Sequence, residues 1–175
     1  MAHPTDKQAE TIFHALHSLD RLMGKQDTTT QARPGFTQLY AYAHDPAYAP
    51  SSNLLLALSH DLRLRRDFNR LISKQALAAF PRAAAASTGD IQQREEDGFR
   101  LTLKPSRADP AQVYLIIESI DRDESPHLMF VQTEEEPVYR LVLEEFQDGE
   151  AQILLNEQED IVKALRNFKS DVILR

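Results

Sequence analysis

The sequence predicts an α+β protein, with an N-terminal helical unit of three or four helices followed by a C-terminal antiparallel β sandwich or barrel. Two observations carry this expectation. After Gly98 the apolar spacing changes from a helical period to a period of two. The charge changes at the same place. Residues 1–90 hold 10 Lys/Arg against 8 Asp/Glu, a net of +2, and residues 91–175 hold 10 against 19, a net of −9. The expected units are a helical unit at 1–82, a linker at 83–97 and a β-rich unit at 98–175.

The helical elements follow in order. Thr5 with Gln8 makes a capping-box signature, Ile12, Leu16, Leu19 and Met23 recur at helical spacing, and Gly24 can close that helix. Residues 25–35 are polar and punctuated by Pro34 and Gly35, so they read as a loop. Phe36, Leu39, Tyr40 and Ala43 predict a short second helix that stops before Pro46. Ser51 or Ser52 can cap a third, with Leu54, Leu55 and Leu58. Asp61 can cap a fourth, running to about Phe80 before Pro81. Ser87, Thr88 and Gly89 mark the linker.

In the second half, Phe99, Leu101 and Leu103 alternate with Arg100 and Thr102. The segment "QVYLIIESI" (112–120) is nearly all apolar and reads as a central strand buried on both faces. "HLMFVQT" (127–133) and "VYRLVLEEF" (138–146) follow as strands. Asp148-Gly149 predicts a type I′ turn pairing 138–146 with 150–156. Residues 160–168 read as a turn of helix and 171–175 as a last strand, giving six strands.

Composition narrows the chemistry. Hydrophobic residues make up 42% of the 175, enough for a real core. There is no Cys, which excludes disulfides, thiolate zinc sites and Cys nucleophiles. The first residues show no basic segment followed by an apolar run, and no stretch reaches the roughly 18 apolar residues of a membrane helix. A soluble, cytoplasmic protein that does not engage a membrane is expected.

Metal chemistry has candidates in the helical half. His44-Asp45 and His60-Asp61 resemble the dipeptide of metal-dependent phosphohydrolases, and Glu10, His14 and His17 share one helix face. Each has a plainer account. Asp45 precedes Pro46 in a turn, Asp61 caps a helix, and the Glu10 face lies opposite the apolar stripe. No complete ligand set is visible. Glu134, Glu135 and Glu136 precede Pro137 and read as a turn, not as convergent carboxylates. Neither a Gly-rich phosphate loop nor a G-x-S-x-G elbow occurs. The expectation is a non-catalytic regulatory or adaptor protein without a cofactor. The alternative is a metal-dependent hydrolase using histidines of the helical half. A third reading has the β-rich half take a ligand or peptide along an unpaired strand edge.

The segment "HDLRLRRDFNRLISKQ" (60–75) is basic in an acidic chain. At about 100° per residue, Leu64, Phe68, Leu71, Ile72 and Ala79 share one face. Arg63, Arg66, Arg70 and Lys74 share nearly the opposite face, with Arg65 beside the apolar edge. Such a stripe suits a solvated face, docking on the acidic C-terminal half of the same chain, or a protein partner with an acidic surface. Nucleic acid ranks last, because the net charge of −7 repels phosphate and no aromatic stacking positions accompany the arginines. Phe36, Tyr40 and Leu55 are candidate apolar anchors for the same partner.

Residues 36–72, "FTQLYAYAHDPAYAPSSNLLLALSHDLRLRRDFNRLI", carry a short helix, a polar break, a Leu/Ala-rich helix, an Asp-containing joint and an Arg/Leu-rich helix. This outline resembles the small helical domain of bacterial anti-sigma factors. The resemblance implies a sigma factor as partner. Many members of that family hold zinc through a His and two Cys, so a chain without Cys is similar only to the zinc-free members.

Overall fold

The computed structural model describes residues 33–82, 91–133 and 137–175. It is a mixed α+β structure with two antiparallel sheets of four strands each. In chain order the elements are α1 (Phe36–His44), α2 (Ser52–His60), α3 (Leu62–Lys74), β1 (Ala78–Phe80), β2 (Gln93–Glu96), β3 (Phe99–Pro105), β4 (Gln112–Ser119), β5 (Leu128–Gln132), β6 (Tyr139–Val142), β7 (Glu150–Asn156), α4 (Asp160–Arg166) and β8 (Asp171–Leu174). One sheet has the order β1-β8-β5-β6 and the other β2-β3-β4-β7. The expected helix at 5–24, with Glu10, His14 and His17, lies outside the described residues, as do Glu134, Glu135 and Glu136.

The helix boundaries follow local chemistry. Gly35 N–H donates to the Gln38 side chain at the start of α1 (3.2 Å), and Asp45, extended ahead of Pro46, ends it. Of the two candidate serines, Ser51 caps α2 by accepting Leu54 N–H (3.2 Å). The Asp61 carboxylate caps α3 by accepting the N–H groups of Arg63 and Leu64 (3.0 and 3.1 Å).

Two clusters of buried side chains organise the fold. Phe99, Leu101, Val113, Leu115 and Ile117 of one sheet share a cluster with Phe80, Met129, Val131, Val172 and Leu174 of the other, closed by Ile161, Val162 and Leu165 of α4. On the far side of the β1-β8-β5-β6 sheet, Leu128, Phe130 and Ile173 join Leu39, Tyr42, Leu54, Leu58, Leu64, Phe68 and Ile72 of the three helices. Alternate residues of β5 therefore face different clusters, and all five are buried. Tyr42, Phe68 and Phe130 form an aromatic trio with ring centroids 5.5 to 6.1 Å apart, which binds helices to sheet.

Four expectations are corrected. The fourth predicted helix ends at Lys74, not near Phe80, because Ala78, Ala79 and Phe80 pair with Leu174, Ile173 and Val172. Ala79 is thus exposed on a strand and not part of the apolar helix face. Residues 93–96, placed in the linker, form β2 and pair with β3, giving eight strands among the described residues instead of six. The strand buried on both faces is β5. In β4 only Val113, Leu115 and Ile117 are fully enclosed, and the alternate residues are half-buried. Finally, Asp148-Gly149 does turn with positive φ (52° and 80°), but the strands around it part. β6 pairs with β5 while β7 pairs with β4, so the turn changes sheets and leaves only a bridge between Gln147 and Glu150. The dipeptide that closes a two-stranded hairpin is Asp97-Gly98, with closely similar φ values of 52° and 82°.

Candidate functional site

The joint between α2 and α3 concentrates the residues singled out in the sequence. At the end of α2, backbone carbonyls lack helical partners, and this joint supplies them. Asp61 N–H donates to Ala57 O (2.8 Å). Arg65 reaches back from the first turn of α3, donating from Nε to Leu58 O (3.0 Å) and from Nη2 to Ser59 O. With only 6% exposure, Arg65 is a brace inside the fold and not part of any surface.

Asp61 carries a second load. Its carboxylate accepts from Arg33 Nε at 2.9 Å while capping α3. Burial raises its pKa, but Leu64 N–H, the Arg33 guanidinium and Arg63 N–H together outweigh that and hold it below the usual carboxylate value. Asp61 is therefore kept ionised as a structural fastener.

On this braced joint, Arg63, Arg66, Arg70 and Lys74 are all exposed, as their spacing predicts. Arg70 makes a 3.5 Å pair with Asp67, which is itself exposed enough to be worth little. Opposite them, Leu64, Phe68 and Ile72 are buried. Leu55 is 43% exposed on α2. Two residues that the sequence pattern did not single out join it. Leu56 and Leu62 are 48% and 58% exposed. Leu62 lies one turn before Arg66 on α3, so it belongs to the charged face. Ser59 adds to the apolar character, because its hydroxyl turns inward to donate to the Leu55 and Leu56 carbonyls (2.9 and 3.1 Å). The signal for Leu62 was its departure from the apolar stripe.

Phe36 and Tyr40 occupy a different setting. They are half-buried on α1 in a row with His44, the rings of Phe36 and Tyr40 tilted with centroids 5.7 Å apart and those of Tyr40 and His44 stacked at 3.8 Å. The Nδ1 of His44 lies 2.9 Å from Tyr40 O and 3.3 Å from Arg175 Nη1, and its Nε2 bonds the Gln75 amide oxygen. Arg175 also donates to Ala43 O (2.9 Å) and the Gln75 oxygen (2.6 Å), and burial lowers its pKa. Both ring nitrogens of His44 are thus engaged within the protein.

Among the described residues, no group of three or more His, Asp and Glu side chains converges in a way that could hold a metal. A small hollow beside β2, lined by Ile91, Leu101, Leu103, Leu115 and Leu165, contains one ionisable group, Arg94. Its guanidinium donates to the carbonyls of Ser170, Leu165 and Asn167 (2.9, 3.2 and 2.8 Å), so it ties down the end of α4. No described helix is long and apolar enough to cross a membrane. No family model, curated protein or solved structure matches the chain.

Proposed function

We propose that this chain is a non-catalytic regulatory or adaptor protein of the cytoplasm that binds another protein through the α2–α3 joint. The observation that supports the reading is the pairing of three exposed leucines, Leu55, Leu56 and Leu62, with the exposed stripe Arg63, Arg66, Arg70 and Lys74. Apolar anchors supply most of the affinity in such contacts, and the charges steer association and fix register. The partner then presents an acidic surface with an apolar centre. The resemblance to zinc-free anti-sigma factors nominates a sigma factor. In this reading the two sheets form the antiparallel sandwich expected from the sequence and act as a rigid mount for the helices. Phe36 and Tyr40 support α1 and contribute at the edge of the contact.

Binding of purified chain to the sigma factors of its host tests this. Wild type should bind one of them with a rate that falls as salt rises, and Arg66→Glu with Arg70→Glu should slow association and flatten that dependence. Leu56→Ala with Leu62→Ala should speed dissociation. Equal binding by all variants would leave the stripe a solvated face. Tight, salt-sensitive binding to DNA or RNA would overturn the choice of partner. Stoichiometric metal in the purified protein would favour the alternative, a metal-dependent hydrolase.

A further inference from the structure

The free edge of β7 is the one long strand edge that the described structure leaves open and uncharged. Two hydrogen bonds fix its phase. Ser119 N–H donates to Gly149 O (2.7 Å) and Glu157 N–H to Ala111 O (2.8 Å), so the odd-numbered residues of β7 point their backbone groups at β4. The even-numbered residues point outward. Glu150 spends its N–H and C=O on Gln147 (3.0 and 2.8 Å). Asn156 gives its N–H to the Glu159 carboxylate (3.0 Å) and its C=O to Glu159 N–H (3.0 Å). Gln152 and Leu154 remain, both exposed, with two N–H and two C=O groups that have no partner among the described residues.

The other edges are protected. β1 has three residues, and Ala79 N–H donates to the Asp97 carboxylate (3.2 Å). β2 carries Arg94, Glu95 and Glu96, and β6 has four residues with Arg140 among them. In β7, Ala151 to Leu155 contains neither charge nor proline, and Leu154 is 47% exposed. Natural sheets usually guard such an edge.

We propose that β7 pairs antiparallel with β7 of a second copy of this chain, across a two-fold axis at Ile153, joining two four-stranded sheets into one of eight. The free groups choose the register. With Ile153 on the axis, Gln152 faces the partner's Leu154 and Leu154 faces the partner's Gln152, both as hydrogen-bonded pairs. The four open N–H and four open C=O groups of the two chains are then all consumed. Glu150 comes opposite the partner's Asn156, so no like charges oppose each other. The two Ile153 residues form a non-hydrogen-bonded pair, where side chains approach most closely. The contact is isologous, as a two-fold dimer requires. It uses neither α2 nor α3 and stands independently of the reading above.

Sedimentation equilibrium of the full chain over a wide concentration range tests it. Wild type should show a reversible monomer–dimer equilibrium. Gln152→Pro removes a solvent-facing N–H, which an edge strand tolerates, and two inter-chain bonds. Leu154→Lys introduces the usual edge guard. Each should weaken dimerisation about tenfold or more while leaving the far-ultraviolet dichroism unchanged. In this cysteine-free chain, Ile153→Cys should form a disulfide-linked dimer under oxidation, because it alone faces its own copy. A wild-type monomer at every concentration would overturn the proposal. So would a dimer that neither edge variant weakens.

Discussion

Arg65 on α3 donates its Nε–H to the Leu58 carbonyl on α2 at 3.0 Å, closing the end of one helix from the start of the next. Removing a buried partner of this kind leaves polar groups unsatisfied at a cost of about 1–3 kcal/mol. Arg65→Ala should lose that much in urea unfolding. Arg65→Lys cannot reproduce the fork and should fall between. Arg66→Ala, one residue along but exposed, should change stability by no more than about 0.5 kcal/mol.

Asp61 makes the joint sensitive to acid. Its folded pKa lies below the unfolded value, so the folded state binds its proton more weakly. The stability it contributes is fully present above the unfolded pKa of about 3.9 and is lost as pH falls through the folded pKa. Asp61→Ala should cost about 1 kcal/mol at pH near 7, by loss of the cap. Denaturant curves repeated in acid, below the unfolded pKa, should show a smaller gap between wild type and variant. A gap that persists unchanged would mean that the carboxylate charge contributes nothing.

Phe68 and Phe130 are fully buried and meet edge to face, centroids 5.7 Å apart, across the boundary between helices and sheet. Phe130→Ala should cost about 3–5 kcal/mol. Because the helices share this cluster with β5 and β8, helix loss at 222 nm and tyrosine dichroism should trace one transition in the wild type. Two separated transitions would show that the helices melt alone.

Gly98 and Gly149 share a left-handed φ but differ in surroundings. A Cβ on Gly149 would lie 3.6 Å from Ser119 O, an ordinary contact, so Gly149→Ala should cost only the conformational penalty of about 1–2 kcal/mol. A Cβ on Gly98 would lie 3.1 Å from Arg122 Cγ, disturbing the bond from Arg122 Nε to Asp97 O (3.2 Å). Gly98→Ala should therefore lower the melting temperature more than Gly149→Ala, and the reverse order would argue against the observed packing.

The sequence by itself determined what depends on neighbouring residues. Ser51 and Asp61 cap helices because a side-chain oxygen two or three residues ahead of a free N–H reaches it in any context. Arg63, Arg66, Arg70 and Lys74 are exposed because Leu64, Phe68 and Ile72 own the opposite face of the same helix. Both Asp-Gly dipeptides turn with positive φ for equally local reasons. Only the tertiary structure decided which segments pair. Asp97-Gly98 closes a hairpin and Asp148-Gly149 changes sheets, although the two turns share one local geometry. Ala78–Phe80 is a strand because β8 offers it an edge, against the helical preference of alanine. Helical spacing set Arg65 beside the apolar edge, but only the fold of α2 against α3 gave its guanidinium the Leu58 carbonyl to hold. Pairing and burial depend on contacts between residues far apart in the chain, and a one-dimensional pattern of spacing holds no record of which distant face will be there.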